Sequence, residues 1–217
     1  MTITLALPTL SQFDRAASCV WSALAGSAPP DRCIVLDNSG GQCPPIPGAQ
    51  IVLGRQPQSV ARAWNDAATL AGGDWLIISN DDIVFAPTAI AELIAVANAN
   101  PRAAIVSPIE GQRFACFLLR WEAYQAIGPF DEQFSPGFYE DNDYHHRLML
   151  AGWDSPVALG AVVEHFGSAT MKAIPADERE MRHHDLFRAN RKRFIKKWGG
   201  LPHDDGLYTE PYNGAPQ

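Results

Sequence analysis

The stretch SVARAWNDAATLAGGDWLIISNDD, residues 59–82, predicts a helix, a turn and a strand that ends on acidic residues. Apolar residues recur at helical spacing after Ser59, which is a good capping residue, and the double glycine is suited to end the helix. The apolar run WLII then predicts a buried strand, which is followed by Asn80, Asp81 and Asp82. Carboxylates beside a core need partners, so we expect these acids either to form a turn or a helix cap or to bind a cation.

Strand and helix patterns alternate on both sides of this stretch. Before it, the pattern predicts a strand at 3–7, a helix at 13–24 capped by Ser11, and strands at 33–36 and 50–53. After it, the pattern predicts a helix at 88–99 and strands at 104–106 and 115–119. Such alternation indicates an α/β fold, and we expect a Rossmann-like, open, mostly parallel sheet flanked by helices on both faces in a single domain.

Polar residues stand where several predicted strands end. Pro8 and Thr9 end the first strand, Asp37 ends the second, and Asp81 and Asp82 follow the strand quoted above. Ligands of open α/β sheets bind at the carboxyl ends of the strands, so we expect a binding site there. The sequence DNSGG after the second strand is also strong turn chemistry, which leaves a simple turn as the alternative.

The composition fits one ordinary globular domain, because 47% of the 217 residues are hydrophobic and 19% are charged. A net charge of -7 and a pI near 5.3 argue against a protein whose affinity depends on neutralising many phosphates. The four cysteines form no CxxC pair and the first residues lack the pattern of a secretory signal, which favours reduced thiols in a cytoplasm. No apolar run approaches the roughly 20 residues of a membrane span, so any membrane contact is expected to be peripheral.

Six blocks of sequence occur in a characteristic order over about residues 3–170. They are ITLALPT, IVLDNSGG, the stretch quoted above, FLLRWEAYQAIGPFDEQF, FYEDNDYHHRLMLAGW and VVEHFGSAT. Together they resemble the nucleotide-sugar-dependent glycosyltransferases of family 2, which have the GT-A fold. The acidic motif of that family commonly reads Asp-x-Asp or Asp-Asp-Asp, whereas Asn80 stands in its first place here.

The resemblance implies a hexosyl- or pentosyltransferase that moves a monosaccharide from a nucleoside diphosphate sugar to a hydroxyl acceptor with inversion. A UDP-sugar is the favoured donor, with GDP- and dTDP-sugars open. The implied cofactor is Mn²⁺ or Mg²⁺, because a divalent cation stabilises a departing diphosphate. The acceptor is left open among glycans, lipid-linked glycans, small molecules, proteins and modified nucleic acid bases, and the shortness of the chain suggests a small acceptor or a partner subunit.

The resemblance also assigns roles on the donor side. Asp82 is expected to contact the metal directly, with Asp81 in the metal shell or on the donor ribose. His165, which follows a strand-like segment, is expected to ligate the metal or meet the diphosphate. The alternatives are a turn for the two acids and a hydrogen-bonded surface histidine for His165.

Five more residues are predicted to bind the nucleotide sugar. Asp37 is expected to hold the nucleoside, while Pro8 and Thr9 shape the floor of its pocket. Arg62 and Asn65 are three apart on one helical face and can reach the base or the diphosphate. Their alternatives are a solvent-facing arginine and a capping or packing asparagine.

A second acidic cluster, which begins with Glu140 and Asp141, lies at the start of a predicted helix. Acids in a first helical turn are favoured by the helix dipole whatever the function. The resemblance assigns the general base to this cluster, with Asp141 as the base and Glu140 orienting the acceptor or backbone, or the reverse. Phe138 and Tyr139 are expected acceptor contacts, although dense aromatics also fill cores. For Arg147 a structural salt bridge is favoured over a phosphate contact.

The expected domain organisation is a glycosyltransferase core at 1–175, a helix packed on it at 176–200 and a tail at 201–217. Residues 1–100 form the predicted nucleotide-sugar half of the core and 101–175 the acceptor and catalytic half. The basic face of the last helix is either solvated or meets anionic lipid, an acidic polymer or DNA phosphate.

Two other functions stay open at this point. Asn80 makes a catalytically silent nucleotide-sugar-binding module conceivable. A nucleotidyltransferase would also use acids and a metal, but it would want a Gly-rich, basic phosphate loop near the amino terminus, and LPTLSQFDR has none.

Overall fold

The computed structural model describes residues 1–55, 59–108, 113–166 and 176–201, apart from the side chains of residues 113 and 176–184. The strands in these residues are β1 (Ile3–Thr9), β2 (Arg32–Asp37), β3 (Gln50–Leu53), β4 (Trp75–Ser79), β5 (Ile83–Phe85), β6 (Ile105–Val106), β7 (Cys116–Arg120) and β8 (Val163–His165). The helices are α1 (Phe13–Leu24), α2 (Val60–Ala71), α3 (Ala89–Ala99), α4 (Trp121–Ile127), α5 (Glu140–Leu150) and α6 (Ala176–Trp198). Within the described ranges, none of these helices has the length and apolar character that a bilayer span requires.

The main sheet has six strands in the order β3-β2-β1-β4-β7-β6. Neighbouring strands from β3 to β4 pair in parallel, while β7 is antiparallel to both β4 and β6. Five of the six strands therefore run in one direction, which confirms the predicted open, mostly parallel sheet. The reversal of β7 was not predicted, because hydrophobic patterning does not reveal the direction of a strand.

Both faces of the sheet are covered, as predicted. Successive residues of a strand point to opposite faces of the sheet. Leu5 and Leu7 of β1 therefore lie in the core beneath α1 and α3, while Ala6 lies in a second core on the opposite face. That second core lies beneath α2, α4 and α5 and is built around Trp64 and Phe117. The two cores make one α/β domain with the sheet in the middle.

The stretch quoted first folds as predicted. The Ser59 hydroxyl caps α2 by accepting a hydrogen bond of 3.2 Å from the backbone N–H of Arg62. The helix ends at Gly72, whose φ of 55° is a backbone conformation that glycine adopts without strain. The predicted Ser11 cap of α1 is wrong, because Gln12 is the N-cap residue and makes no side-chain capping bond.

A second, two-stranded sheet extends the fold beyond the acids at 81 and 82. β5 and β8 pair antiparallel, and Ile83 lies opposite His165. This pairing was not predicted, since it joins segments that are far apart in the sequence. Its consequence is that a histidine is brought beside the acidic end of β4.

The last described helix packs on the rest of the domain through its carboxyl half. Phe194 and Trp198 of α6 are buried against Phe134 and Tyr139, with Phe138 and Leu201 at the edge of the cluster. Of the predicted tail at 201–217, the part from 202 on lies outside the described residues. The carboxyl half of α6 therefore covers the segment that leads into α5.

Candidate active site

The ends of β1, β2 and β4 meet at one edge of the sheet. Thr9 lies opposite Asp37 in the register of β1 and β2. The Thr9 hydroxyl donates a 2.7 Å hydrogen bond to Oδ2 of Asp81, the second residue after β4. The structure thus brings Thr9, Asp37 and Asp81 together, with Pro8 one residue back on β1, as the sequence predicted for a site at the carboxyl edge.

Asp82 and His165 form a close pair at this edge. Nε2 of His165 lies 3.3 Å from Oδ1 of Asp82, whose residue is only 5% exposed. The backbone N–H of Phe166 donates a 3.1 Å hydrogen bond to the Asp82 carbonyl, which fixes the two segments to each other. The structure therefore joins the two residues that the sequence predicted as metal ligands.

The donor atoms of this pair fit a divalent cation. Two neighbouring ligands of an octahedral ion, each at ~2.1 Å, lie roughly 3 Å apart, close to the observed separation. Carboxylate oxygen and imidazole nitrogen are both ligands for ions such as Mn²⁺. No cluster of three or more His, Cys, Asp or Glu residues arranged for a metal occurs in the part of the chain that is described. An ion at Asp82 and His165 would therefore need further oxygens, such as those of a diphosphate and water.

Burial acts strongly on the neighbouring acid. It raises the pKa of Asp81 to about 6, and the charge of Asp82 adds to the increase, while the hydrogen bond from Thr9 and the charge of Arg15 oppose it. A half-buried carboxylate next to a buried one is costly to ionise without positive charge nearby.

Arg15 supplies positive charge that the sequence analysis missed. It shares a pocket of about 270 Å³ with Asp82 and Phe166, and its guanidinium carbon lies 4.9 Å from the centre of the Phe166 ring. Its Nη1 atom is buried and has no hydrogen-bond partner among the described residues. The only sequence signal was an arginine early in the helix after β1, which is too common to single out.

Asp37 closes a tight turn at the end of β2. Its Oδ1 accepts hydrogen bonds from the backbone N–H of Ser39, at 2.8 Å, and from the Ser39 hydroxyl, and its Oδ2 accepts one of 3.2 Å from Cys43. Burial acts to raise the pKa of Asp37, but these hydrogen bonds outweigh it and hold the pKa below its usual value. Asp37 therefore forms the turn that its sequence context suggested, and its nucleoside role stays a prediction.

Arg62 and Asn65 face the loop before α5. Nε of Arg62 donates a 2.9 Å hydrogen bond to Glu132, in a salt bridge. The Asn65 amide donates to the Phe130 carbonyl and to Glu132, and its oxygen accepts from the Phe130 N–H and the Tyr124 hydroxyl. These four bonds use the full capacity of the amide, which favours the packing alternative for Asn65, and its donor contact stays a prediction.

The segment that leads into α5 meets the start of α2 at the carboxyl edge of the sheet. α2 follows β3 and begins at the edge where the parallel strands end, and its first residue, Val60, donates a 3.0 Å hydrogen bond to the Pro136 carbonyl. Phe138 and Tyr139 then take positive φ angles of 76° and 73°. Such conformations cost on the order of 1–3 kcal/mol for residues other than glycine and are concentrated at functional sites.

Glu140 and Asp141 open α5 in different environments. Glu140 is 6% exposed, and its Oε2 has no hydrogen-bond partner in the described residues. Burial, followed by the charge of Asp141, raises the pKa of Glu140 above its usual value. Asp141 is more exposed, and its Oδ1 accepts a 2.8 Å hydrogen bond from the Asn142 N–H. The environment thus favours a proton on Glu140.

The predicted acceptor contacts pack against α6. The Tyr139 ring is buried, with its centre 5.2 Å from that of Phe187 and 5.4 Å from that of Phe194. Phe138 is half-buried and packs edge-on against Phe187 at 5.8 Å. This packing favours the core-filling alternative, above all for Tyr139. The predicted structural salt bridge of Arg147 is confirmed, since its Nε lies 2.9 Å from Asp143.

Comparison with known proteins gives one family and several structures of the same fold. The model described as "Glycosyl transferase family 2" matches residues 4–150. No curated protein matches the chain significantly. The likeness to solved structures, at identities of 9–17%, shows the fold alone, which is that of GT-A glycosyltransferases.

Three solved structures illustrate this fold. The mannosyltransferase PcManGT from Pyrobaculum calidifontis, in complex with GDP-Man and Mn²⁺, has a TM-score of 0.68 and 16% identity, covering 97% of this chain and 69% of its own. Glucosyl-3-phosphoglycerate synthase from Mycobacterium tuberculosis, in complex with Mn²⁺, UDP and glucosyl-3-phosphoglycerate, has a TM-score of 0.63 and 17% identity, covering 94% and 82%. TarS 1-349 from S. aureus has a TM-score of 0.62 and 9% identity, covering 90% and 72%.

Proposed function

The chain belongs to glycosyl transferase family 2, and from that premise we propose that it transfers a monosaccharide from a nucleoside diphosphate sugar to a hydroxyl acceptor with inversion. The proposed donor is a UDP-sugar, and the reaction depends on Mn²⁺ or Mg²⁺. The observation that carries this proposal is the approach of Asp82 and His165 to 3.3 Å at the carboxyl edge of the sheet. Two residues from distant segments meet there beside the acid held by Thr9.

Asp82 and His165 are the residues that would hold the cation. When bound, the cation offsets the negative charge that develops on the departing diphosphate. Two structures of the same fold contain Mn²⁺, one with GDP-Man and one with UDP, which supports a nucleotide donor and keeps a GDP-sugar in the set to be tested.

Arg15 and Asp37 complete the proposed donor site. The buried guanidinium nitrogen of Arg15 is suited to a phosphate oxygen, because an Arg–phosphate hydrogen bond is charge-assisted. Asp37 is held ionised at the end of β2, where its carboxylate can accept a hydrogen bond from the ribose or base. Asn65 is left out of the proposed site because its amide is already saturated by protein atoms.

Asp141 is the proposed general base. Its carboxylate takes the proton of the acceptor hydroxyl while the hydroxyl oxygen bonds to the anomeric carbon from the face opposite the leaving group. The bond between that carbon and the diphosphate oxygen breaks, and the nucleoside diphosphate leaves with the electron pair. Attack from the opposite face inverts the configuration of the sugar.

Glu140 is the proposed orienting acid. Because burial raises its pKa, its protonated form is favoured, and a protonated carboxyl can donate a hydrogen bond to the acceptor or the donor sugar. Asp141 is more exposed than Glu140, which supports Asp141 as the base in preference to the reverse assignment.

The test starts from thermal unfolding with a panel of UDP-, GDP- and dTDP-sugars, with and without Mn²⁺ or Mg²⁺. The nucleotide sugar that raises Tm most is then assayed for hydrolysis, and NMR reads the anomeric configuration of the product. We expect inversion, and we expect Asp141→Asn to lose turnover and keep nucleotide affinity, with the exposed Asp185→Asn as the matched control. Binding without turnover for any donor would identify a silent module, and a retained configuration would contradict the proposed mechanism.

A further inference from the structure

Asp143 is a buried carboxylate on α5, two residues after the proposed base. Its exposed fraction is 0%, so its charge depends on partners within the protein. Oδ1 accepts a 2.8 Å hydrogen bond from Nε1 of Trp198 and lies 2.6 Å from Nζ of Lys197. Oδ2 accepts a 2.9 Å hydrogen bond from Nε of Arg147, one turn further along α5. Three donors thus fix this carboxylate.

Two of these three donors come from the end of α6, which lies beyond the segment matched by the family model. Nζ of Lys197 also lies 2.8 Å from Asp131 and so connects the loop before α5 with α5 itself. The Trp198 ring is 2% exposed and packs edge-on against His146, with ring centres 4.4 Å apart. The end of α6 therefore holds α5 by an ion pair, a hydrogen bond and packing.

The residue that precedes the first turn of α5 makes no side-chain capping bond to it. This N-cap residue is Tyr139, which has a left-handed conformation. Helix ends without a cap fray readily unless other contacts hold them. The network at Asp143 lies in this turn and attaches it to the end of α6 through buried polar contacts.

We propose that Lys197 and Trp198 are positioning residues of the active site: through Asp143 they fix the rotation of α5 and hence the aim of Glu140 and Asp141. Neither residue has to touch the substrate in this role. The inference rests on the proposed function, because it concerns the aim of the proposed base. A misplacement of about 1 Å at a reacting group can lower the rate by ~100-fold, so a remote hydrogen bond can control turnover.

A positioning role and a purely stabilising role predict different effects of substitution on kcat. A positioning residue of the base changes kcat and leaves donor binding intact, since the donor site at Asp82 and His165 is built on other elements. A residue that only stabilises the fold changes Tm and leaves the kcat of the folded enzyme unaltered. Measuring kcat, donor KM and Tm together therefore separates the two roles.

The test uses Lys197→Met and Trp198→Phe in the full chain. Met removes the ammonium group of Lys197, which lies 5.7 Å from the centre of the Phe134 ring, and keeps much of the length of the apolar stem. Phe keeps an aromatic ring in place of the indole. The matched control is Lys196→Met, which removes the same charge from the exposed neighbouring position. The assay uses the nucleotide sugar selected by the panel, and calorimetry with its nucleoside diphosphate and Mn²⁺ gives the donor-site affinity.

We expect each variant to lower kcat by ~10-fold or more while donor KM and nucleotide affinity stay within about 2-fold of wild type. Lys197→Arg, which keeps the charge, should retain more turnover than Lys197→Met, and the control should match wild type. In an Asp143→Asn background, the further substitution Lys197→Met should lower kcat little more, because both substitutions act through the same contact.

Wild-type kcat in the folded Trp198→Phe variant, or equal losses in kcat and nucleotide affinity, would overturn the positioning role. If Lys197→Met does not fold, Trp198→Phe alone decides the question. A wild-type chain without turnover overturns the proposed function and this inference together, whereas an active wild type with fully active variants overturns only the inference.

Discussion

At the scale of single residues, the unsatisfied side chain of Arg15 is unusual. A partly buried guanidinium with an unsatisfied nitrogen is costly, and this one lies in the pocket of Asp82. The cost is offset if an anionic group of a ligand accepts its hydrogen bond when the site is filled.

The Arg15→Met variant should therefore bind a nucleoside diphosphate less tightly. A lost hydrogen bond to a charged group is worth ~1.5–3 kcal/mol, or roughly 10- to 100-fold in Kd. Calorimetry with UDP and with uridine separates the phosphate contribution, because only UDP binding should weaken. Arg102→Met is the control, since Arg102 is exposed and pairs with Asp154. Equal affinity of wild type and Arg15→Met for UDP would contradict a phosphate contact.

Glu140 should make stability depend on pH. Its folded-state pKa is raised by burial, so its contribution to stability is fully present at pH values below the unfolded pKa and is lost as the pH rises through the folded pKa. Each unit of elevation corresponds to about 1.4 kcal/mol.

The Glu140→Gln variant removes this titration and keeps the shape of the side chain. Its free energy of unfolding should fall less than that of wild type between acidic and mildly alkaline pH, as measured by urea denaturation across that range. The exposed Glu122→Gln is the control. Parallel pH profiles for wild type and Glu140→Gln would show that Glu140 does not titrate with a raised pKa.

At the scale of elements, α2 depends on its first residue. Ser59 is buried, and its hydroxyl satisfies the N–H of Arg62. Removal of such a cap costs ~1 kcal/mol, so Ser59→Ala should lower the free energy of unfolding by about that amount. Urea denaturation checks this against the exposed Ser27→Ala. An unchanged midpoint in Ser59→Ala would contradict the capping role.

Most elements of the fold follow from local pattern. β1 to β4 and α1 to α3 are bounded by periodicity, glycine and proline, and the structure places them within a few residues of the predictions. The direction of β7 and the pairing of β5 with β8 do not follow, because they depend on contacts between distant segments. The positive φ angles at Phe138 and Tyr139 could not be predicted from the sequence pattern either, since neither residue type favours that conformation.

At the scale of the whole molecule, the candidate site is assembled by tertiary contacts. Asp82 and His165 were predicted because ordered blocks of sequence resembled a family, and the fold then brought them together. Arg15 and the partners of Asp143 on α6 had no such signal, because a lone arginine, lysine or tryptophan carries chemistry only once its neighbours are known. Asn65 was predicted from its helical spacing with Arg62, and that spacing gave no sign that protein atoms would use all four hydrogen bonds of its amide.

The most direct test of this assembly is a calorimetric titration of the chain with UDP in the presence and absence of Mn²⁺. If Asp82 and His165 share a divalent ion that meets a diphosphate, UDP should bind with Mn²⁺ and only weakly without it, and Asp82→Asn should abolish the difference. UDP affinity that is the same with and without Mn²⁺ in wild type, or a metal effect that survives in Asp82→Asn, would contradict the account.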